Sequence, residues 1–305
     1  MQDNENNYHV PIMLYETVDA LIINENGTYV DATFGGGGHS KYLLSKLGKK
    51  GRLFVFDHDE DAKKNAPKDE RVTFIHQNFS NLQRWLKWYK IIEVDGIMAD
   101  LGVSSHQFNE ASRGFSIRYN GPLDMRMDVR TAQTAADIIK NYNAAQLQLI
   151  FQTYGEVTNA KTLAQHLVSL QHTNINTISM FKAAISQFAK GNPMRYYAQV
   201  FQALRIAVNN EMEAAKQLIL QAAACLKIGG RLSIISFHSV EDGIIKQGIK
   251  NGFENIENLH PLLNTPKTWP LKAVNKKPIV PTINEQKENT RSRSAKLRIA
   301  EKIAL

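Results

Sequence analysis

The chain has 305 residues, enough for one large domain or for a main domain carrying a smaller one. A content of 43% hydrophobic and 22% charged residues fits a soluble globular protein. No apolar run approaches membrane-spanning length, and the polar first seven residues hold no signal-peptide core. The one cysteine, Cys225, excludes an intramolecular disulfide, so a cytoplasmic protein with no membrane partner is expected. Cys225 lies in an apolar helical stretch and reads as a buried, inert thiol. The net charge of +8 suits a polyanionic partner such as nucleic acid, and equally a plain solubility surface.

Pro11 opens a helical stretch with Ile12, Tyr15, Val18, Ala20 and Ile22 as its apolar positions. A short strand, 28–31, leads into the glycine run Gly35 to Gly38, and a helix over 39–47 follows. Residues 52–56, 72–76 and 96–99 read as continuous apolar strands. Such strands alternating with helices predict a parallel sheet covered on both faces, an α/β doubly wound fold. Between 128 and 190 the strand signal disappears. Leu147, Ile150, Phe151 and Tyr154 keep helical spacing, with a capping box at Asn143 and Gln146 and a stop at Gly155. Ile178, Phe181, Ile185 and Phe188 repeat that spacing. One long helix is expected over 198–226, then a Gly229-Gly230 turn and a strand over 231–236. After about residue 251 the chain reads as loop, closing with a strand over 295–300. The expected organisation is therefore a discontinuous sheet domain, 1–127 with 198–305, carrying a helical insertion at 128–197.

The glycine run sits between a strand and a helix, where bare backbone can approach a ligand closely. Starting from Gly35, the third glycine of a dinucleotide fingerprint would fall on Ser40, and the lysine of a phosphate loop is missing. What remains is D-x-x-x-G-x-G, running from Asp31 to Gly37, the pattern of S-adenosylmethionine enzymes. Asp57, 20 residues after Gly37, ends the second strand and suits two ribose hydroxyls. Phe79 follows the third strand, where it could lie against adenine or fill the core. Asp100 ends the fourth. Four successive strand ends thus carry a glycine loop, an acid, an aromatic and an acid.

At these residues the chain resembles the ribosomal small-subunit RNA cytosine-N4 methyltransferases, the 16S rRNA (cytosine-1402-N4)-methyltransferase or MraW family. The resemblance is carried by His9-Val10-Pro11, by 29–40, by 51–57 and by Asp100-Leu101-Gly102-Val103-Ser104-Ser105. It continues in Arg113-Gly114-Phe115-Ser116 and in the octapeptide Gly121-Pro122-Leu123-Asp124-Met125-Arg126-Met127-Asp128. Segments 201–209, 229–242 and 293–298 complete it. Three positions depart: Gly36 stands where the family often has Arg, 192–197 differs from the usual approach to the long helix, and Thr290 replaces a proline.

The resemblance implies a Rossmann-like class I methyltransferase sheet with an inserted all-helical domain, and S-adenosylmethionine as cofactor. It implies cofactor contacts at Gly37, Gly38, His39, Asp57, Phe79, Asp100 and Gln107, the last invisible to pattern reading. The implied reaction methylates the N4 amine of a cytosine in 16S rRNA, within the small ribosomal subunit; a homodimer is left open and no metal is expected. Asp100 is the candidate catalytic residue, with Phe108 or Phe115 to stack on the base. Ser104, Ser105, Arg126, His238, Ser239, Arg291 and Arg293 are candidate substrate contacts, with Lys296 a further phosphate contact. The competing readings are a methyltransferase of another RNA or DNA amine, a nicotinamide oxidoreductase, and a non-catalytic RNA-binding assembly factor.

Overall fold

Apolar runs without a polar face demand cover on both sides of their strands. The computed structural model, which describes residues 11–253 and 269–303, provides that cover. His9 and Val10 of the first matching motif lie outside the described residues, as does 254–268 of the expected loop. The chain forms two compact units, Met1–Gly102 with Met212–Leu305, and Val103–Glu211.

The first unit opens with α1 (Leu14–Asp19), β1 (Thr28–Asp31), α2 (Gly38–Lys46), β2 (Arg52–Phe56), β3 (Val72–Ile75), α3 (Leu82–Trp88) and β4 (Val94–Asp100). The second unit holds α4 (Ser105–Asn109), α5 (Ala135–Asn141), α6 (Ala144–Gly155), α7 (Ala160–Ser169), α8 (Ile178–Ile185) and α9 (Pro193–Asn209). The chain returns through α10 (Glu211–Cys225), β5 (Leu226–Ser236), α11 (Ser239–Asn251), β6 (Leu271–Ala273), α12 (Ile283–Glu288) and β7 (Lys296–Lys302). The sheet order is β3-β2-β1-β4-β5-β7-β6. Strands β1 to β5 pair in parallel, and β7 runs antiparallel between β5 and β6. This is the Rossmann-like α/β sheet expected.

Alternate strand residues feed opposite cores, as the period of two requires. Val30, Phe54, Phe56, Ile97 and Ala99 pack on one face with Leu218, Ile219 and Ala222 of α10 and Ile245 of α11. Tyr29, Leu53, Val55 and Met98 pack on the other with Val18 and with Leu43 and Leu44 of α2. Cys225 joins the first of these cores, and burial pushes its thiol up to about 11, which makes it unreactive.

The helical unit has its own core, and that core recruits more chain than the periodicity indicated. Phe115, Leu123, Met125 and Met127 from the loops, and Val200, Phe201, Ala203 and Leu204 from α9, pack among Leu147, Phe151, Leu163 and Phe181. The unit therefore begins at Val103 rather than 128 and ends at Glu211 rather than 197. Asn209 fastens it: its side chain accepts from Met127 N at 2.7 Å and donates to Met125 O at 2.8 Å.

Three local expectations change. The long helix over 198–226 is two helices, because Asn210 adopts a left-handed φ of 49° between α9 and α10. Asn143 and Gln146 do form the capping box of α6. Gly155, however, is its last residue, and the left-handed turn falls on Glu156 at φ 52°. Gly155 is small because α9 passes over it; a Cβ there would lie 2.6 Å from Gln199 O. Gly229-Gly230 is no terminal turn but an irregularity inside β5, where pairing with β4 jumps from Leu226 to Arg231.

On the β7 side of the sheet, Asp242 of α11 receives Arg298 of β7 through two hydrogen bonds, 2.6 and 3.0 Å, with Lys296 at 3.3 Å. Arg298 is nearly buried, so its charge depends on that carboxylate. Asp242→Ala is expected to destabilise the protein by ~3–5 kcal/mol, read as a fall in the urea midpoint at unchanged slope. A midpoint within error of the unmodified protein would contradict this reading of the pair.

Candidate functional site

All five parallel strands end at one edge of the sheet, and loops that follow such ends are where an open α/β sheet binds ligands. The loop after β1 is organised by Asp31. Its buried carboxylate accepts from Thr33 N at 3.0 Å and from Ser40 Oγ at 2.6 Å. One acid thereby fixes both the start of the glycine loop and the first turn of α2. Burial pushes its carboxyl up to about 6, against the opposing effect of those two hydrogen bonds. Thr33 carries the connection onward, its Oγ1 accepting from Asp100 N at 2.6 Å.

Within the loop, Gly35 and Gly37 have left-handed φ values of 51° and 75°. Gly37 is the N-cap of α2 and offers no side-chain cap, so the helix opens on bare backbone. Gly35 N donates to Asp57 Oδ2 at 2.8 Å, and Asn65 Nδ2 donates to Gly35 O at 3.1 Å. Asp57 Oδ1 accepts from Asp59 N at 2.8 Å. Asp57 thus stands at the end of β2, as expected for a ribose acceptor, and also holds the glycine loop. Burial raises its carboxyl above the ordinary range.

Phe79 begins a short 3-10 turn after β3 and leans partly buried on the sheet core. Asn78 caps that turn by accepting from Ser80 N, while its Nδ2 donates to His58 Nδ1 at 2.9 Å. The loops after β2 and β3 are therefore tied side by side.

His39 and Asp100 form the least ordinary part of the site. His39 is buried, and its Nε2 lies 3.0 Å from Ile12 O. A carbonyl can only accept, so Nε2 carries the hydrogen and Nδ1 presents a lone pair. Burial pushes the imidazole down to about 4, so it is neutral at pH 7. Nδ1 stands 4.0 Å from Asp100 Oδ2. The Asp100 side chain is 31% exposed, yet its Oδ1 is buried and has no hydrogen-bond partner among the described residues. Burial, together with the charges of Asp31 and Glu241, pushes this carboxyl up to about 8. At pH 7 the Asp100 carboxyl is therefore mostly protonated, and its Oδ1 is an acceptor open to a donor.

The first unit thus gathers Gly37, Gly38, His39, Asp57, Phe79 and Asp100 on the loops after β1 to β4. At the β5 end, His238 caps α11, its Nδ1 accepting from Glu241 N at 3.3 Å, with Nε2 3.5 Å from Glu241 Oε1. This is a structural duty, and the neighbouring Ser239 is exposed. Arg291 and Arg293 are exposed on a 3-10 turn before β7, whose first residue Lys296 pairs with Ser236 at the end of β5. They therefore lie at the same edge as the ligand loops.

The remaining candidates belong to the helical unit. Ser104 and Gln107 form the capping box of α4, with Ser104 Oγ accepting from Gln107 N and Gln107 Oε1 accepting from Ser104 N. Ser105 is the first residue of that helix. Arg126 is not a free phosphate ligand. Its Nε and Nη2 bind Asp124 at 2.8 Å each, and its Nη1 binds Val129 O and Thr131 O. Phe115 is buried in the unit's core and cannot stack on a base; Phe108 is only partly buried. Sequence reasoning passed over Glu241 and Asn65, which sit far from the glycine run in sequence and meet the site only through the fold.

Asp100 holds its proton in the native state between its ordinary 3.8 and about 8, whereas the unfolded chain releases it. Native stability therefore falls as pH rises across that window. Asp100→Asn removes the effect. Without ligand, its melting temperature is expected to exceed that of the unmodified protein by a margin growing from pH 4 to pH 8 and then levelling. A margin independent of pH would show that Asp100 is ionised throughout.

The family model described as the MraW methylase family matches residues 6–303. Ribosomal RNA small subunit methyltransferase H of Bacteroides fragilis is 47% identical over 304 residues, covering 99% of this chain and 100% of that protein. The protein of the same name from Cytophaga hutchinsonii is 50% identical over 301 residues, covering 97% and 99%. That from Flavobacterium johnsoniae is 46% identical over 298 residues, covering 97% and 98%. Matched along nearly its whole length by that model and by such relatives, the chain belongs to the MraW methylase family.

Proposed function

We propose that this chain transfers a methyl group from S-adenosylmethionine to the N4 amine of a cytosine, position 1402, in 16S rRNA of the small ribosomal subunit. Family membership supports methyl transfer over hydride transfer or passive RNA binding. The names of its relatives support ribosomal RNA as substrate and, with it, a cytoplasmic reaction. The observation that carries the reading is the orphaned carboxyl of Asp100 beside the uncapped start of α2. One suits the positive end of a zwitterionic sulfonium ligand, the other its carboxylate. Asp57 and Phe79, on the next two strand ends, suit a ribose and an adenine.

When bound, S-adenosylmethionine supplies an electrophilic methyl on a positively charged sulfur. The chain's own residues must supply the rest. A cytosine amine is a poor nucleophile, since its lone pair is delocalised into the ring, and it must be held in line with the methyl. As the N–C bond forms and the S–C bond breaks, the amine must lose one proton. Asp100, ionised by a neighbouring cation, is an acceptor for that proton, and a carboxyl that resides at about 8 in the bare protein retains it at neutral pH. His39, fixed as the Nε2–H tautomer by Ile12 O, keeps a lone pair toward Asp100 and brings no competing charge. The target base must leave its stack to reach the methyl.

A cationic ligand favours ionised Asp100. The dissociation constant for S-adenosylmethionine is therefore expected to fall by up to about tenfold per pH unit as pH rises toward 8, then to level. Calorimetry should show release of a proton on binding below pH 8, and Asp100→Asn should abolish both effects. In single turnover at saturating S-adenosylmethionine, Asp100→Ala should be slower by at least ~10²-fold if Asp100 takes the amine proton. Full recovery at saturation would restrict Asp100 to holding the cofactor. The reaction itself is tested by mapping methylated cytosines in small-subunit RNA with and without this protein. An unchanged map would overturn the assignment.

A further inference from the structure

The C-terminal end of α3 lies at the sheet edge opposite the ligand loops. Leu82 and Leu86 face the core with Trp85 partly buried, while Arg84, Lys87 and Trp88, at i, i+3 and i+4, share the outer face. Trp88 is 77% exposed, an unusual state for the residue with most apolar surface to hide. Lys90, at a left-handed φ of 60°, turns the chain toward β4, and Ile92 just before that strand is 80% exposed. None of the side chains of Arg84, Lys87 and Lys90 forms an ion pair among the described residues, and no acid occurs from 82 to 92. An open aromatic thus stands beside three cations, with the exposed Glu93 the nearest acid along the chain.

We infer that this face is a second RNA-binding surface, on which Trp88 stacks an unpaired base while Arg84, Lys87 and Lys90 hold the flanking phosphates. The inference rests on RNA being the substrate and adds a contact remote from the reacting base. β4 spans seven residues, so the surface stands on the order of 20 Å from the Asp100 end of that strand. The combination fits single-stranded RNA because a planar ring and point cations answer its two chemistries at once. A second copy of this chain fits poorly. A two-fold contact through this face would set Arg84, Lys87 and Lys90 against their own equivalents.

The test measures the affinity of the full chain for a fluorescein-labelled single-stranded fragment of small-subunit RNA. Trp88→Ala should weaken binding about tenfold and Trp88→Phe much less, with S-adenosylmethionine affinity unchanged in both. The double variant Lys87→Ala, Lys90→Ala should make the slope of log affinity against log salt shallower by roughly 1.4. Unmodified affinity in Trp88→Ala together with an unmodified salt slope in the lysine variant would overturn the inference. So would a change in sedimentation with no change in RNA affinity, which would assign the face to a second copy. The two readings separate cleanly. Intact methylation beside full RNA affinity in Trp88→Ala sinks the surface alone. An unchanged methylation map beside Trp88-dependent RNA binding sinks the proposed reaction and leaves the surface standing.

Discussion

A single buried carboxylate, that of Asp31, sets the geometry on which the site depends. It is held by Thr33 N and Ser40 Oγ, and through Thr33 it reaches the backbone of Asp100, distant in sequence but on the strand beside it in the sheet. An acid in this place raises the cost of ionising its neighbour. Asp31 and Glu241 both push Asp100 toward its neutral form, and no described cation stands against it in the bare protein. The site is arranged around missing positive charge. That is a sound arrangement for a ligand that carries positive charge at its reactive atom, since the ligand then relieves an unfavourable state that solvent cannot.

The same logic governs the loops beside it. Asp57 serves the protein before it serves any ligand, since it fixes Gly35 and the turn at Asp59. His39 is pinned at one nitrogen and neutral at the other. Neither residue has conformational freedom to lose on binding, and pre-organised groups of this kind bind with less entropic cost than mobile ones. In the helical unit the polar motifs serve structure in a comparable way. Arg126 braces its own loop, and Ser104 with Gln107 starts a helix. A motif that is highly specific in sequence is therefore not always a motif that touches substrate.

Much of this was legible in the residues. Strands 28–31 and 52–56 are legible at their observed bounds, the second because a buried parallel strand shows as a continuous apolar run. The order glycine loop, acid, aromatic, acid on four strand ends followed from counting from one strand to the next. The capping box at Asn143 and Gln146 was legible because it is local. What escaped was non-local or conformational. The division of 198–226 into two helices depends on one left-handed residue, Asn210, in a sequence that keeps helical composition throughout. β6 lies in a stretch of loop-like composition and is a strand only because β7 lies beside it.

The sequence by itself determined the sheet, the strand ends that carry chemistry and the resemblance to a methyltransferase family, because periodicity and motif spacing are properties of neighbouring residues. Only the tertiary structure decided which acids are charged. Asp31, Asp57, Asp100 and Asp242 are identical in sequence terms. Asp242 sits against Arg298 and Lys296, which hold it below its ordinary value against the opposing effect of burial, while burial, joined by the charges of Asp31 and Glu241, pushes Asp100 up to about 8. The protonation of a carboxyl follows from what lies within a few ångströms of it and from how much water reaches it, and both are fixed by packing between distant segments.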